Sequence, residues 1–192
     1  MRCLIPLSLI LALGCVPHSD NPLTAPGTEK IDSSILGTWF WKNDVESGYI
    51  HIGLDHKLES LRVLMLEIEK DGELQVSEFS GHTSSLAGNK YLNLKWVRPA
   101  HNEITGYMFV KYEVSPDSLG IALMDSDVVE RAIEKGSLKG KLEKHGQSLS
   151  VRITEGREKL RKFILRKDKE LFSETQYVKK LFLRNKNPDR KS

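Results

Sequence analysis

The chain has 192 residues, of which 39% are hydrophobic and 29% are charged, and its formal net charge is +3. With only 14 glycines and 7 prolines, it has the proportions of an ordinary globular domain, which excludes collagen-like, coiled-coil and wholly disordered chains. No strong catalytic or metal-binding motif occurs in it, so the residues alone name no reaction.

The first fourteen residues have the pattern of a secretory leader. Arg2 supplies a positive charge, residues 4–13 form an uncharged apolar run, and Gly14 follows. The run is about half the roughly 20 residues that a bilayer-spanning helix requires. We therefore expect residues 1–14 to be a cleaved signal peptide.

The junction Leu11-Ala12-Leu13-Gly14-Cys15 resembles the lipobox of bacterial lipoproteins, in which signal peptidase II cleaves before a cysteine that carries diacylglycerol. The resemblance implies that Cys15 is the acylated N-terminus, with palmitate or similar chains; a conventional secretory cleavage somewhat later is the alternative. The other cysteine, Cys3, lies in the leader, so the mature domain would have no disulfide. Because Val16 replaces the Asp that favours inner-membrane retention, the resemblance implies the periplasmic face of the outer membrane.

Residues 15–33 are rich in turn-forming residues and poor in apolar ones, with prolines at 17, 22 and 26. This composition predicts a flexible tether between the lipidated cysteine and a single folded domain over residues 34–185. Residues 186–192 are expected to be a polar tail.

From residue 34 onward, short segments of alternating apolar and polar residues are separated by Gly, Asp, Asn and Ser. They predict strands over residues 37–42, 49–54, 61–70, 74–80, 91–98, 104–114 and 119–124, and a closing strand over 177–183. Asp71-Gly72 favours a hairpin turn. The strand over 104–114 is expected to be half-buried, and Gly106 within it to mark a bend.

Two helices are predicted in the C-terminal half. Asp127 and Glu130 have the spacing of a capping box for a helix over residues 127–135, and a second helix begins after Thr154. Sequential antiparallel strands with few long connections favour a barrel or a strongly curved sheet. The expected fold class is therefore mainly β (α+β), an antiparallel meander with two helices.

Gly37-Thr38-Trp39 resembles the G-x-W signature of lipocalins and their calycin relatives. The resemblance implies an eight-stranded barrel whose closed end is plugged by Trp39, beneath a basic residue such as Arg184. It also implies a carrier of a small apolar ligand, with a pocket lined from Trp39, Tyr91, Trp96 and Met108. A barrel filled by its own side chains is the alternative. Residues 106–114 are also similar to uncharacterised exported bacterial proteins, which implies no activity.

Catalytic and metal-binding patterns are weak. Glu67, Glu78, His51 and His82 are the only candidates for an enzyme of unrecognised type, and Glu67 with Glu69 is better explained by a solvated outer face. The serines near His82 lack a G-x-S-x-G elbow. The histidines are scattered, and a structural zinc site needs four ligands. We expect no enzyme activity, no metal and no cofactor.

Charge is distributed unevenly. Residues 16–130 carry 9 Lys and Arg against 18 Asp and Glu, whereas residues 131–192 carry 19 against 8. The basic part either attracts the acidic part within the fold or, if the second helix is exposed, faces anionic lipid or the cell-wall polymer. Nucleic acid is not an expected partner of an exported protein. The sequence thus predicts a lipid-anchored envelope protein that binds a small apolar ligand or an envelope partner.

Overall fold

The computed structural model describes residues 16–43, 46–69, 71–97, 106–145 and 148–181. The leader, Cys15, Arg184 and the polar tail lie outside the described residues, so the predictions for them stay predictions.

The described residues form an eight-stranded antiparallel barrel, a small three-stranded sheet and two α-helices. In chain order, the elements are β1 (His18–Ser19), β2 (Gly37–Lys42), β3 (Ser47–Asp55), β4 (Ser60–Ile68), β5 (Leu74–Leu86), β6 (Asn89–Trp96), β7 (Met108–Val114), β8 (Ser118–Leu123), α1 (Ser126–Glu134), β9 (Gly140–His145), β10 (Ser148–Ile153), α2 (Arg157–Leu171) and β11 (Gln176–Lys180). The barrel closes in the order β11-β2-β3-β4-β5-β6-β7-β8, and the small sheet has the order β1-β10-β9.

The predicted fold class is confirmed. The predicted strands correspond to β2–β8 and β11, and the two predicted helices correspond to α1 and α2. Asp125 caps α1 by accepting a hydrogen bond from the backbone N–H of Val128, at 3.0 Å, so the capping residue lies two positions before the one expected. Gly72, at φ +86, makes the predicted turn between β4 and β5.

The barrel has two distinct ends. At the closed end, the turn between β3 and β4 lies together with the turns that join β5 to β6 and β7 to β8, and residues 31–36 plug the opening. At the upper end lie the connections β2–β3, β4–β5 and β6–β7. Between β8 and β11 the chain leaves the barrel to form α1, β9, β10 and α2.

A second apolar layer covers the outer face of β6–β8. Tyr91, Phe109 and Ala122 point out of the barrel and pack with the buried faces of α1 and α2 and with Val151 and Ile153 of β10. The predicted half-buried pattern holds at the end of β7, where Glu113 on the outer face is exposed, but not at its start, where Phe109 on that face is fully buried. β9 and β10 were not predicted. Charged residues in β9 resemble those of a loop, whereas β10 has the alternating Leu149, Val151 and Ile153 that indicate a strand.

The segment predicted to be a flexible tether is packed from residue 16 onward, and that prediction is wrong. It begins at the upper end, where Ser19 exchanges two backbone hydrogen bonds with Tyr107, at 2.8 and 2.7 Å. Val16, which precedes Ser19, packs with residues of the barrel interior. The segment then runs along the outer face of β5 and β6 to the closed end, and Leu23 is buried in the outer layer. The segment packs on the barrel with few apolar side chains because hydrogen bonds to residues far away in the sequence hold it in place.

Gly106 lies before β7 rather than inside a strand, which corrects the predicted bend. Its φ is +119, and a Cβ there would lie 2.6 Å from the backbone oxygen of Ser19. Glycine is therefore required by the close approach of the N-terminal segment. Within the described ranges, no helix is both long and apolar enough to span a membrane.

Candidate ligand site in the barrel

The middle of the barrel contains a cavity of about 60 Å³. Because side chains alternate across each strand, inward positions from six strands meet around it. Every residue of its lining is apolar: Ile50, Ile52, Val63, Met65, Phe79, Leu92, Leu94, Met108, Val110, Leu119, Ile121 and Leu123. Such a space favours an apolar occupant and offers water no hydrogen-bond partner.

Trp39 lies at the closed end, fully buried beneath the cavity. Its indole Nε1 donates to the backbone oxygen of Ile35 at 2.9 Å, in the short 3-10 turn Ser33–Ile35 that helps to plug the barrel. The Nζ atom of Lys180 lies 5.1 Å from the Trp39 ring centroid. A cation therefore does stack on this tryptophan, but it comes from β11, and the expected Arg184 is outside the described residues.

Asp32 fixes the plug to the barrel wall. Its carboxylate accepts from the Lys90 ammonium at 2.7 Å and from the Tyr112 hydroxyl at 3.1 Å. Burial would raise the pKa of Asp32, but the hydrogen bonds from Lys90, Ser34 and Tyr112 lower it to about 2. The charged carboxylate therefore persists at all but very acidic pH.

The upper end carries polar atoms above the apolar cavity. The indole Nε1 atoms of Trp41 and Trp96 and the Oε1 atom of Glu46 are buried and have no hydrogen-bond partner among the described residues. Trp96 packs on Phe79, a lining residue, with ring centroids 4.3 Å apart. Since indole N–H groups only donate, this end can donate hydrogen bonds to an oxygen of a ligand seated below.

Glu67 also points inward at this end and is 1% exposed. It lies in register with Gly48, where a Cβ would be 2.3 Å from the Trp41 ring. The expectation that Glu67 belongs to a solvated outer face is therefore wrong. The alternating pattern Leu61, Val63, Met65, Glu67 places it in the interior.

The four predicted pocket residues lie in different places. Met108 lines the cavity, Trp39 lies below it and Trp96 borders it. Tyr91 does not contribute, because Leu92 and Leu94 take the inward positions of β6. Tyr91 packs outside the barrel against Phe172, and its pKa is raised by burial and by its hydrogen bond to Asp168.

The candidates for catalysis are not brought together. Glu67 lies inside the barrel, whereas Glu78 forms an ion pair with Arg62 on the outer face. His51 is exposed on the outer face of β3. His82 is buried beneath the N-terminal segment, far from the interior positions. Within the described residues, no three His, Cys, Asp or Glu side chains form a group that could hold a metal ion.

A buried polar network under the N-terminal segment was missed at the sequence level. Asn93 Oδ1 accepts from the Leu23 backbone N–H at 2.8 Å, and Asn93 Nδ2 donates to Ser84 Oγ at 2.7 Å. Thr24 contacts both strands, since its Oγ1 lies 2.6 Å from Ser84 Oγ and its backbone oxygen lies 2.9 Å from His82 Nε2. The available signal was an Asn, a Ser and a His at outward positions of two adjacent strands.

No known protein family, curated protein or solved structure matches this chain. Function must therefore be argued from its own residues.

Proposed function

We propose that this protein is a non-enzymatic binding module whose barrel holds a small apolar ligand. The apolar cavity is the observation that carries the proposal, because an eight-stranded barrel either fills with its own side chains or holds one small ligand. The indole N–H groups of Trp41 and Trp96, which have no acceptor among the described residues, support an orientation in which an oxygen of the ligand lies near them.

The size of the cavity limits the ligand. At about 60 Å³ it is well below the roughly 300–1,000 Å³ of sites for drug-sized molecules. Met65 and Met108 in the lining have flexible side chains that can make further room. The ligand class that fits is a short alkyl chain or a molecule of similar size, with or without one oxygen at its end.

Binding is tested by calorimetric titration with straight-chain alcohols of increasing length. Val63→Phe fills the cavity. It should lower the affinity for the alcohol that binds most tightly by at least about tenfold, since full burial of one apolar side chain contributes about 1.5–3 kcal/mol. Val76→Phe, on the exposed outer face of β5, is the matched control and should bind normally. If Val63→Phe fails to fold, Val110→Ile, which adds less volume to the cavity lining, tests whether filling the cavity weakens binding of the alcohol. Absence of binding by the unaltered protein contradicts the proposal.

We also propose that the protein is exported and held on the periplasmic face of the outer membrane by acyl chains on Cys15. The support is the leader and its lipobox-like junction. Acyl chains contribute about 0.8 kcal/mol per buried methylene, so two or more chains give stable attachment. The intact mass of the native protein should equal that of a chain beginning at Cys15 plus its lipid. Sedimentation of Cys15→Ser with membranes would contradict the anchor.

A further inference from the structure

The outer surface of α2 carries a row of basic side chains. Lys159, Lys162, Arg166 and Lys169 are all exposed. Their spacing of three, four and three residues aligns them along one side of a helix. We call these four residues the cationic stripe. The opposite side of α2, with Leu160, Phe163, Ile164 and Leu171, is buried in the outer layer.

The cations of the stripe have no ion-pair partner among the described residues, since none of the ion pairs found there includes any of the four. Two of the three acidic residues of α2 form ion pairs outside the stripe, Asp168 with Lys111 of the barrel and Glu170 with Lys167. The third, Glu158, is exposed in the first turn of the helix. Within the described part of the chain, direct ion pairs between the basic and acidic parts therefore do not account for the stripe.

We propose that the cationic stripe docks the protein on an anionic lipid surface. Clusters of four or more Lys and Arg residues attract anionic headgroups, each contributing at short range. Because the apolar face of α2 is already buried, the helix would lie on the headgroups without inserting.

The position of α2 favours lipid over a soluble polyanion. Arg157, in its first turn, donates through Nε to the backbone oxygen of Pro22 at 3.2 Å. The first turn of α2, where the stripe begins, therefore contacts the packed N-terminal segment, whose first described residue, Val16, follows Cys15 in the sequence. An acyl anchor at Cys15 together with the basic surface of α2 would give the protein the two membrane signals that stable attachment takes. The preference for lipid rests on the proposed export, but binding of the stripe to anionic lipid does not require the acyl chains.

The test uses the chain from residue 16 onward, which contains every described strand and both helices, so that no lipid or leader contributes. Its sedimentation is measured with phosphatidylcholine vesicles that contain or lack phosphatidylglycerol. We expect binding only to vesicles with phosphatidylglycerol, and weaker binding as the salt concentration rises. Lys162→Glu with Arg166→Glu should reduce the partition coefficient by at least about tenfold.

The matched control is Lys57→Glu with Lys179→Glu, which changes the net charge equally at two exposed lysines outside α2. It should change the partition coefficient by less than about twofold. The neutral pair Lys162→Gln with Arg166→Gln provides a second variant if charge reversal disturbs folding, which circular dichroism would reveal. Equal losses in the stripe and control variants, or binding to isolated cell-wall polymer without binding to the vesicles, would overturn the proposal. Failure of the ligand or acyl-chain tests alone would leave this result unchanged.

Discussion

At the scale of single residues, buried polar side chains join the outer layer to the barrel. Asp168 of α2 accepts from the Tyr91 hydroxyl at 2.6 Å and forms an ion pair with Lys111. All three side chains lie between the helix and the outer face of β6 and β7. A buried group of this kind makes the position of α2 specific, because displacement of the helix would leave a lysine and a hydroxyl without a partner.

Asp168→Ala should lower the free energy of unfolding by about 2–3 kcal/mol, because it leaves Lys111 and Tyr91 largely buried without their acceptor. Glu170→Ala, two residues along the same helix, is the matched control. Its side chain is 58% exposed in its ion pair with Lys167, so the change should be within about 0.5 kcal/mol. Urea unfolding measures both. Equal effects would contradict the assigned role of Asp168.

Tyr91 shows where sequence reasoning fails at this scale. Alternation predicts that Tyr91 and Leu92 face opposite sides of β6, but it does not say which side is the barrel interior when both are apolar. Only the packing of α1 and α2, which follow β8 in the chain, makes the outer face of β6 apolar. Of the other predicted pocket residues, Met108 lines the cavity, whereas Trp39 lies below it at the closed end.

At the scale of elements, the N-terminal segment is the part that departs most from expectation. Its prolines and polar residues predict a tether, yet it spans the barrel from the upper end to the plug at the closed end. The contacts that hold it link residues far apart in the sequence, such as His82 with Thr24, 58 positions apart, and Asn93 with Leu23, 70 positions apart. The composition of the segment alone does not indicate such long-range pairings. The strand β2, in contrast, follows from the alternation of its own residues, and its predicted bounds agree with those in the structure.

His82 should make attachment of this segment dependent on pH. Burial lowers the pKa of His82, with a further lowering by Arg157, although the hydrogen bond to Thr24 and the charge of Glu29 raise it. The unfolded chain therefore takes up a proton first as the pH falls below about 6.5, and stability is lost as the pH falls from there towards the lowered value.

His82→Gln keeps a side-chain N–H for Thr24 but does not titrate. The free energy of unfolding, measured by urea between pH 7.5 and 5, should therefore fall less steeply than in the unaltered protein. Some dependence should remain, because burial also lowers the pKa of His18. An unchanged slope would show that His82 does not govern this dependence.

At the scale of the whole molecule, the fold combines a barrel with an apolar interior and an outer layer on one side. The regular meander made the barrel predictable from sequence. A capping signal predicted α1, whereas apolar residues at helical spacing after Thr154 predicted α2, which has no side-chain cap. The β9–β10 hairpin was not predictable in the same way, because it is stabilised by contacts with α1 and by pairing with β1. The interior supplies the proposed ligand site, and the outer layer supplies the cationic stripe.

The most direct test of the central claim uses the methionine methyl groups. Met65 and Met108 line the cavity, whereas Met124 is buried in the outer layer and serves as an internal control. In protein labelled with 13C at the methionine methyls, titration with a short-chain alcohol should shift the signals of Met65 and Met108 and leave that of Met124 in place. Unchanged signals, or equal shifts of all three, would contradict the claim that the barrel interior binds the ligand.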